Sequence, residues 1–315
     1  MVGNAPAAQP PAEPGLTQGR VVAVVGPTAT GKSALGIALA RALGGEVVNA
    51  DSMQLYRGMD IGTAKLAPDE RGGVDHHLLD IWPVTRTASV ADYQRRARAV
   101  IAQLHGRGVT PVVVGGSGLY VRAVLDRIEF PGTDERLRQD LEGELDSVGA
   151  GVLHARLAAA DPAAAAAILP SNGRRIVRAL EVIALTGRPF TAALPAYESV
   201  YELVQLGLDR PAADLDRCVE ARVTQMFRAG LVDEVRALES QGIRDGLTSS
   251  RALGYQQVLA MLDGRLTEAD ARAETALATK RFVRRQRSWF GRDPRVTWLD
   301  PGDDAVARAL ALLDP

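Results

Sequence analysis

The chain has 315 residues, of which 46% are hydrophobic and 24% are charged, and its formal net charge is −1. This length suffices for one large or two modest domains, and the composition is that of an ordinary globular protein. A net charge near zero predicts no polyanion partner by itself, so a nucleic-acid surface has to come from local clustering of charge. Cys218 is the only cysteine, which excludes an intrachain disulfide and a cysteine-based metal site.

The N-terminal residues 1–19 are rich in alanine, proline and glycine, a composition typical of a disordered tail. The segment lacks the basic start and the apolar stretch of a signal peptide. No apolar run elsewhere in the chain approaches the length that spans a bilayer. We therefore expect a cytoplasmic protein that does not associate with membranes.

The first part of the chain alternates between strand and helix patterns. A continuous apolar run at 21–25 predicts a strand buried on both faces, and the alanine- and leucine-rich segment 33–43 predicts the helix that follows it. Further strands are predicted at 46–50 and 112–114, with a helix at 89–108 between them. This order of elements is the signature of a parallel α/β sheet flanked by helices.

Strand patterns vanish between 133 and 195, where alanine is abundant and arginines cluster. We interpret 133–195 as an all-helical insertion domain between two parts of the core, 20–132 and 196–315. The second part of the core begins with a predicted strand at 201–208 and ends in basic helices. Helices are predicted at 214–229, 231–241, 252–263 and 267–290, followed by a last strand or an extended arm at 295–300.

The strongest motif lies between the first strand and the first helix. Residues 26–33 read GPTATGKS, which fits the P-loop pattern G-x-x-x-x-G-K-[ST] in the strand-and-helix context that this motif requires. Its glycines let backbone N–H groups turn toward phosphate oxygens, and the helix N-terminus adds partial positive charge. Lys32 would neutralise the outer phosphate, and the Ser33 hydroxyl would ligate Mg²⁺. The expected fold is therefore a P-loop NTPase-like α/β fold, and the candidate diphosphate-binding residues are Gly26, Pro27, Thr28, Ala29, Thr30, Gly31, Lys32 and Ser33.

Two polar residues follow predicted strands at the carboxyl edge of the sheet, where ligands bind in parallel α/β folds. Asp51 follows 46–50 and suits a group that accepts a proton from an attacking hydroxyl or amine; an N-cap or turn aspartate is the structural alternative. Ser117 follows 112–114 and is either a substrate contact or a hydroxyl that satisfies its own loop. No acidic residue stands at the tip of 112–114, which weakens an ATPase or motor interpretation.

Basic residues cluster at two places despite the balanced net charge. The segment 280–295 carries seven of them against Asp293 alone, with Trp289 and Phe290 interleaved, and a second cluster lies at 174–178 in the insertion. Such stretches can bind a phosphate backbone and stack on bases. A solvated helix face is the structural alternative, but two clusters in one chain favour a nucleic-acid partner.

Five stretches resemble, in the correct order, the serial motifs of bacterial tRNA dimethylallyltransferases. They are GPTATGKS (26–33), NADSMQLYRGMDIGTAK (49–65), VVVGGSGLYVRAVL (112–125), RRIVRALEV (174–182) and SSRALGYQQV (249–258). The similarity runs from about residue 20 to 300, and DSMQLYRGMDIGTAK is far more specific than the P-loop. Enzymes of this family prenylate adenine 37 of tRNAs that read codons beginning with U.

The resemblance implies that the phosphate cradle holds dimethylallyl diphosphate rather than ATP. The exocyclic N6 of A37 would attack the allylic carbon and pyrophosphate would leave, giving N6-(dimethylallyl)adenosine. Asp51 would accept or hold the N6 proton, and Ser117 would assist in place of a family threonine. Developing negative charge on the pyrophosphate would be stabilised by Mg²⁺ and by four residues. These are Lys32, Ser33, Thr28 and Arg222; Lys32, Asp51 and Ser117 are the candidate catalytic residues.

The resemblance also implies that the anticodon stem-loop docks on the protein and that A37 leaves its stack to reach the crevice. The insertion would hold the anticodon arm, and we expect the protein to act as a monomer. The implied tRNA-binding residues are Asp51, Ser52, Met53, Gln54, Ser117, Arg138, Arg174, Arg175, Arg178, Arg251, Gln256, Lys280, Arg284 and Arg285.

Two alternatives come from other functional classes. A P-loop small-molecule or nucleotide kinase would use the same motif, with Asp51 activating a hydroxyl, but it would not need two arginine clusters and a large insertion. A non-catalytic nucleic-acid-binding P-loop protein would not require Asp51. One position departs from the family: Cys218 stands where an arginine is common, so the diphosphate clamp formed with Arg222 is either weakened or unaffected.

Overall fold

The structure, a computed structural model, describes residues 19–190, 194–302 and 304–313. The disordered tail expected at 1–19 therefore lies outside the described residues, apart from Gly19. Within those ranges, no helix is both long and apolar enough to cross a membrane. The chain forms two compact units, one made of the residues up to Asp126 and from Ser199 onward, the other of Arg127–Glu198.

The first unit is built on a six-stranded sheet in which all neighbouring strands are parallel. The strands are β1 (Arg20–Val25), β2 (Gly45–Asn49), β3 (His76–His77), β4 (Thr110–Gly115), β5 (Glu202–Leu208) and β6 (Val296–Leu299). Their order across the sheet is β3-β2-β4-β1-β5-β6. The predicted parallel α/β class is confirmed, and 295–300 contains a sheet strand rather than an arm.

Helices occupy most of the remaining described chain. In chain order they are α1 (Lys32–Ala42), α2 (Val90–Gly106), α3 (Gly118–Leu125), α4 (Glu135–Val148), α5 (Ala150–Ala160), α6 (Pro162–Ala167), α7 (Gly173–Thr186), α8 (Ala212–Arg228), α9 (Leu231–Glu239), α10 (Tyr255–Leu262), α11 (Glu268–Phe290) and α12 (Ala305–Ala311).

Both faces of the sheet are covered, as the apolar run of β1 predicts. Val22 and Val24 belong to a core cluster with Leu35 and Leu39 of α1. Alternate residues of β1, from Val21 to Val25, point into a larger cluster on the other face, which α2, α3, α8, α9, α10 and α11 help to form. Successive side chains of a strand point to opposite faces, so β1 is buried on both sides and lies near the middle of the sheet.

Three elements differ from the sequence predictions, the first being the two-residue strand β3, which the sequence does not predict. The helix predicted at 252–263 begins only at Tyr255, because Gly254 has a φ of +87° and a short 3-10 turn at Ser249–Arg251 precedes it. Helix α12 is absent from the sequence predictions. Its Ala309 packs in the core cluster that also contains residues of α1. In this alanine-rich segment Val306 and Leu310 alone are larger apolar residues, which gives a weak helical pattern, so tertiary packing decides this element.

The second unit, Arg127–Glu198, contains helices α4 to α7 around a core of its own. It begins earlier and ends later than the insertion predicted at 133–195. Within α7, Ile176, Val177 and Leu180 are buried as the helical pattern indicates. The described residues of this unit form no strand, so its all-helical character agrees with the sequence.

Candidate active site

The 26–33 loop joins β1 to α1 with a sharply turned backbone. Gly26 has a φ of +132°, and a Cβ there would collide with the carbonyl oxygen of Leu208 at the end of the neighbouring β5. Gly31 has a φ of +95° and caps the N-terminus of α1. Both positions favour glycine, and the turn they permit places the positive end of α1 at the carboxyl edge of the sheet.

Lys32 and Arg222 bring two cations to this loop. The Lys32 ammonium donates to the Pro27 carbonyl oxygen over 2.5 Å, and Arg222 of α8 donates to Thr28 Oγ1 over 3.1 Å. Burial lowers the pKa of Lys32 to about 8, while the charge of Asp51 opposes this fall and Arg222 adds a smaller lowering. Burial also lowers the pKa of Arg222, again against the effect of Asp51. Two partly desolvated cations beside one carboxylate are suited to receive an anion.

Asp51 and Ser117 lie at the tips of β2 and β4, which are neighbours in the sheet. Ser117 Oγ accepts the N–H of Ser52 over 3.0 Å and lies 3.1 Å from the Ser52 hydroxyl oxygen. One carboxylate oxygen of Asp51 accepts the N–H of Met53 over 3.0 Å. Asp51 therefore stabilises its own turn, as the structural alternative predicts, and it does so through Oδ1. Its other carboxylate oxygen, Oδ2, has no hydrogen-bond partner in the described part of the chain.

Asp51 is positioned by Asn49 and Tyr93, two residues that the sequence analysis does not single out. Tyr93 of α2 donates its hydroxyl to the Asn49 carbonyl oxygen over 2.8 Å, and the Asn49 side chain accepts the N–H of Asp51 over 3.0 Å. The Tyr93 ring packs on Tyr120 of α3 with ring centroids 4.8 Å apart. Burial, together with the charge of Asp51, raises the pKa of both phenols, so they remain neutral hydrogen-bond donors at neutral pH.

Gln54 is held by the segment that follows it. Its Nε2 donates to the carbonyl oxygens of Thr63 and Ala64 over 3.2 and 3.4 Å. That segment is fixed by Glu234 of α9, whose carboxylate accepts three successive backbone N–H groups, at 60, 61 and 62, over 2.7–3.2 Å. Tyr255 donates its hydroxyl to the same carboxylate over 2.6 Å. Sequence reasoning missed Glu234, since no local pattern links α9 to a loop more than 170 positions earlier.

Gln286 of α11 was also missed, and it contacts both site loops. Its Oε1 accepts the N–H of Thr28 over 2.9 Å, and its Nε2 donates to the Gly116 carbonyl oxygen over 2.8 Å. In the sequence Gln286 is an amide within the basic segment 280–295, and its neighbouring arginines indicate RNA binding rather than a contact with the site loops.

The residues expected to bind tRNA have different environments. In the first unit, Arg251 and Gln256 are exposed, and so is Arg285 of α11. Lys280 forms an ion pair with Glu220 over 2.5 Å. The remaining basic residue implied on α11, Arg284, is exposed and lies 3.6 Å from a carboxylate oxygen of Asp216.

In the second unit, Arg174 and Arg175 are exposed at the start of α7. Arg138 and Arg178 instead bind the fully buried carboxylate of Glu181 over 2.6 and 2.7 Å. Arg178 also donates to the carbonyl oxygens of the two residues at 131 and 132. These two arginines therefore have a structural role, and their binding of tRNA stays a prediction.

Ser33 is the residue that the sequence assigns to a Mg²⁺ site. Across the ranges that the structure describes, no group of three or more His, Cys, Asp or Glu side chains could hold a metal ion. Ser33, at the start of α1, is exposed. Mg²⁺ is commonly bound by one or two protein oxygens together with phosphate oxygens and waters, so Ser33 fits a phosphate-dependent Mg²⁺ site.

Comparison with known proteins identifies the family. The family model described as IPP transferase matches residues 54–293. The chain belongs to the IPP transferase family. The tRNA dimethylallyltransferase of Streptomyces coelicolor is 69% identical over 283 residues, which cover 90% of this chain and 91% of that protein. The tRNA dimethylallyltransferase of Salinispora tropica is 64% identical over 301 residues, which cover 95% and 94%.

Solved structures of IPP transferases share this fold. A full-length tRNA isopentenylpyrophosphate transferase from Bacillus halodurans has a TM-score of 0.70 and 41% identity, covering 94% of this chain and 96% of its own. A eukaryotic dimethylallyltransferase acting on tRNA has a TM-score of 0.77 and 25% identity, covering 93% of this chain and 78% of its own. The resemblance stated from the sequence is confirmed, and the kinase alternative is not supported.

Proposed function

We propose that this chain transfers a dimethylallyl group from dimethylallyl diphosphate to N6 of adenine 37 in tRNAs that read codons beginning with U. The products are N6-(dimethylallyl)adenosine and pyrophosphate. One observation carries the proposal: the 26–33 loop contains one cation, Lys32, and contacts a second, Arg222, and both interact electrostatically with Asp51. This arrangement supports the proposal that a leaving diphosphate binds beside a carboxylate that accepts a proton.

In the proposed reaction the N6 lone pair forms a bond to the allylic carbon as the bond from that carbon to the diphosphate oxygen breaks. The N6 proton passes to the Asp51 carboxylate, whose Oδ2 is the oxygen without a protein partner in the described chain. General-base assistance of this kind contributes about 10²–10⁴-fold. The Ser117 hydroxyl, which lies 3.1 Å from the Ser52 hydroxyl at the same edge, is proposed to contact the acceptor nucleotide.

Charge that develops on the leaving pyrophosphate would be stabilised by Lys32, Arg222 and the N-terminus of α1. Lys32 supplies an ammonium, Arg222 approaches through Thr28, and the N-terminus of α1 adds its dipole. Bound Mg²⁺, held by Ser33 and phosphate oxygens, would neutralise further charge. An anion in the cradle raises the pKa of Lys32 again, so the lysine stays charged when the substrate is bound.

The exposed basic residues of the two units are proposed to bind the anticodon stem-loop. Arg174 and Arg175 supply charge from the insertion, and Arg281 and Arg285 supply it from α11. Phosphate contacts by such residues set affinity and make it depend on salt concentration. We also propose that the protein acts in the cytoplasm, where its tRNA substrate would be met.

The test is incubation with dimethylallyl diphosphate, Mg²⁺ and an anticodon stem-loop that contains A37. Mass spectrometry should show one added dimethylallyl group on this RNA and none on the same RNA with G37. The Asp51→Asn variant should lower kcat by about 10²–10⁴-fold with little change in either KM. Full transfer activity in Asp51→Asn would remove the proposed role of the carboxylate. Phosphorylation of a small acceptor from ATP, without prenyl transfer, would remove the function itself.

A further inference from the structure

Helix α11 reaches the centre of the candidate active site through one buried amide. Gln286 is only 5% exposed. Its two hydrogen bonds, from the N–H of Thr28 and to the carbonyl oxygen of Gly116, use both ends of the amide. The 26–33 loop, which would bind the diphosphate, is thereby joined to the loop after β4, which carries Ser117.

The two glycines around Ser117 are explained by the same helix. A Cβ added to Gly116 would lie 2.5 Å from Nε2 of Gln286, and a Cβ added to Gly118 would collide with the indole of Trp289. Neither glycine has a positive φ, so the need for glycine arises from the close approach of α11. Ser117 is therefore set between two contacts made by residues one helical turn apart.

The helix that carries Gln286 is firmly placed in the first unit. Val283 and Phe290 are buried in the large core cluster, at 3% and 2% exposure. Arg287 forms an ion pair with Asp209, which follows β5, over 2.8 Å. A side chain fixed on a packed helix holds its partners more closely than a loop residue could.

We propose that Gln286 is a positioning residue for prenyl transfer, whose amide sets the separation between the diphosphate cradle and the loop that carries Ser117. This inference rests on the proposed function. The attacking nitrogen and the allylic carbon have to approach within about 3–3.5 Å. The diphosphate end is placed by the 26–33 loop and the acceptor end by the loops after β2 and β4, so the link between these loops controls that approach.

The first test replaces the amide by a side chain of similar length. Gln286→Met removes both hydrogen bonds and should lower kcat by about 100-fold, the cost of misplacing the reactants by about 1 Å. Because Thr28 belongs to the cradle, the affinity for inorganic pyrophosphate, measured by calorimetry, should fall as well. The KM for the stem-loop RNA should remain within about twofold of the wild type, since the amide is buried, whereas Arg281 and Arg285 of α11 are exposed.

Gln257→Met provides a matched control. Gln257 of α10 is also 5% exposed, and its side-chain oxygen accepts the N–H of Gly254, the N-cap of that helix, over 2.9 Å. This variant should lose thermal stability to a similar extent, yet keep the wild-type kcat and pyrophosphate affinity. A role of Gln286 in general packing alone would make the two variants behave alike.

A second pair of variants tests the contact without relying on Gln286→Met. Gly116→Ala should lower kcat because its Cβ displaces the amide, even though Gln286 is intact. Gln286→Ala should also lower kcat, but combining the two changes should cost less than the sum of the separate effects, since the added methyl group then has room. Such non-additivity is the signature of direct coupling.

The outcomes separate the inference from the proposed function. A wild-type protein that binds pyrophosphate but never prenylates the RNA contradicts the proposed function. An active wild type, together with a Gln286→Met variant of unchanged kcat and pyrophosphate affinity, overturns the positioning role. If Gln286→Met does not fold, additive effects in the Gly116 and Gln286 pair overturn the role, and non-additive effects support it.

Discussion

Replacing Lys32 by methionine should stabilise the unliganded protein while removing diphosphate binding. Burial lowers the pKa of Lys32 from its ordinary 10.5 to about 8. At about 1.4 kcal/mol for each pH unit, this fall corresponds to about 3 kcal/mol of unfavourable free energy for the charged native state. The methionine keeps most of the apolar stem but loses the hydrogen bond to Pro27, worth about 1 kcal/mol. We therefore expect the free energy of unfolding to rise by about 2 kcal/mol at neutral pH.

The pH dependence of this difference has a definite sign. Below about pH 8 Lys32 is charged in both states, so the wild type carries the full penalty. Between about pH 8 and 10.5 the native lysine is neutral while the unfolded one still binds a proton, so wild-type stability rises relative to the variant. Urea unfolding at about pH 7 and again at about pH 9.5 should show the advantage of Lys32→Met shrinking at the higher pH.

Lys65→Met is a control for which we expect the free energy of unfolding to fall rather than rise. The Lys65 ammonium lies 2.6 Å from carboxylate oxygens of both Asp60 and Asp80, and its side chain is 3% exposed. Removing it breaks two ion pairs whose carboxylates are exposed and a hydrogen bond to the Tyr56 carbonyl oxygen, and should destabilise the protein by about 1–2 kcal/mol. Inorganic pyrophosphate at 100 times its Kd should stabilise the wild type by about 2.7 kcal/mol and leave Lys32→Met unchanged. A Lys32→Met protein that is less stable than the wild type, by an amount independent of pH, would refute the reasoning.

Three further predictions concern the supporting contacts. Glu234→Gln should weaken the hold on the loop that positions Gln54, raising the KM for the stem-loop RNA and lowering stability by about 1–3 kcal/mol, as steady-state kinetics and urea unfolding would show. Arg174→Ala should weaken RNA binding, reduce its salt dependence in titrations at several salt concentrations and leave the melting temperature unchanged. Arg178→Ala should destabilise the second unit by about 3 kcal/mol, measured by urea unfolding, since the buried Glu181 loses a partner; an unchanged unfolding midpoint would contradict that role.

Much of the fold could be read from the sequence because its signals are local. The apolar run of β1, the glycines of the 26–33 loop and the helical pattern of α1 lie within a few residues of one another, and their spacing has few physical alternatives. Asp51 and Ser117 could be placed at one edge because the carboxyl ends of parallel strands always share an edge. The short strand β3 and helix α12 were harder, since their few residues carry too little periodic signal.

The sequence by itself determined the parallel sheet, the glycine-containing turn at 26–33 and the family, because each is encoded in adjacent residues. Only the tertiary structure decided which distant side chains complete the site. Gln286, Glu234 and Tyr93 act through hydrogen bonds to loops far away in the chain, and no periodicity or local motif records such contacts. The tertiary structure also distinguishes Arg174, which is exposed, from Arg178, which is bound to a buried carboxylate. The sequence does not distinguish them, because burial depends on how the helices pack.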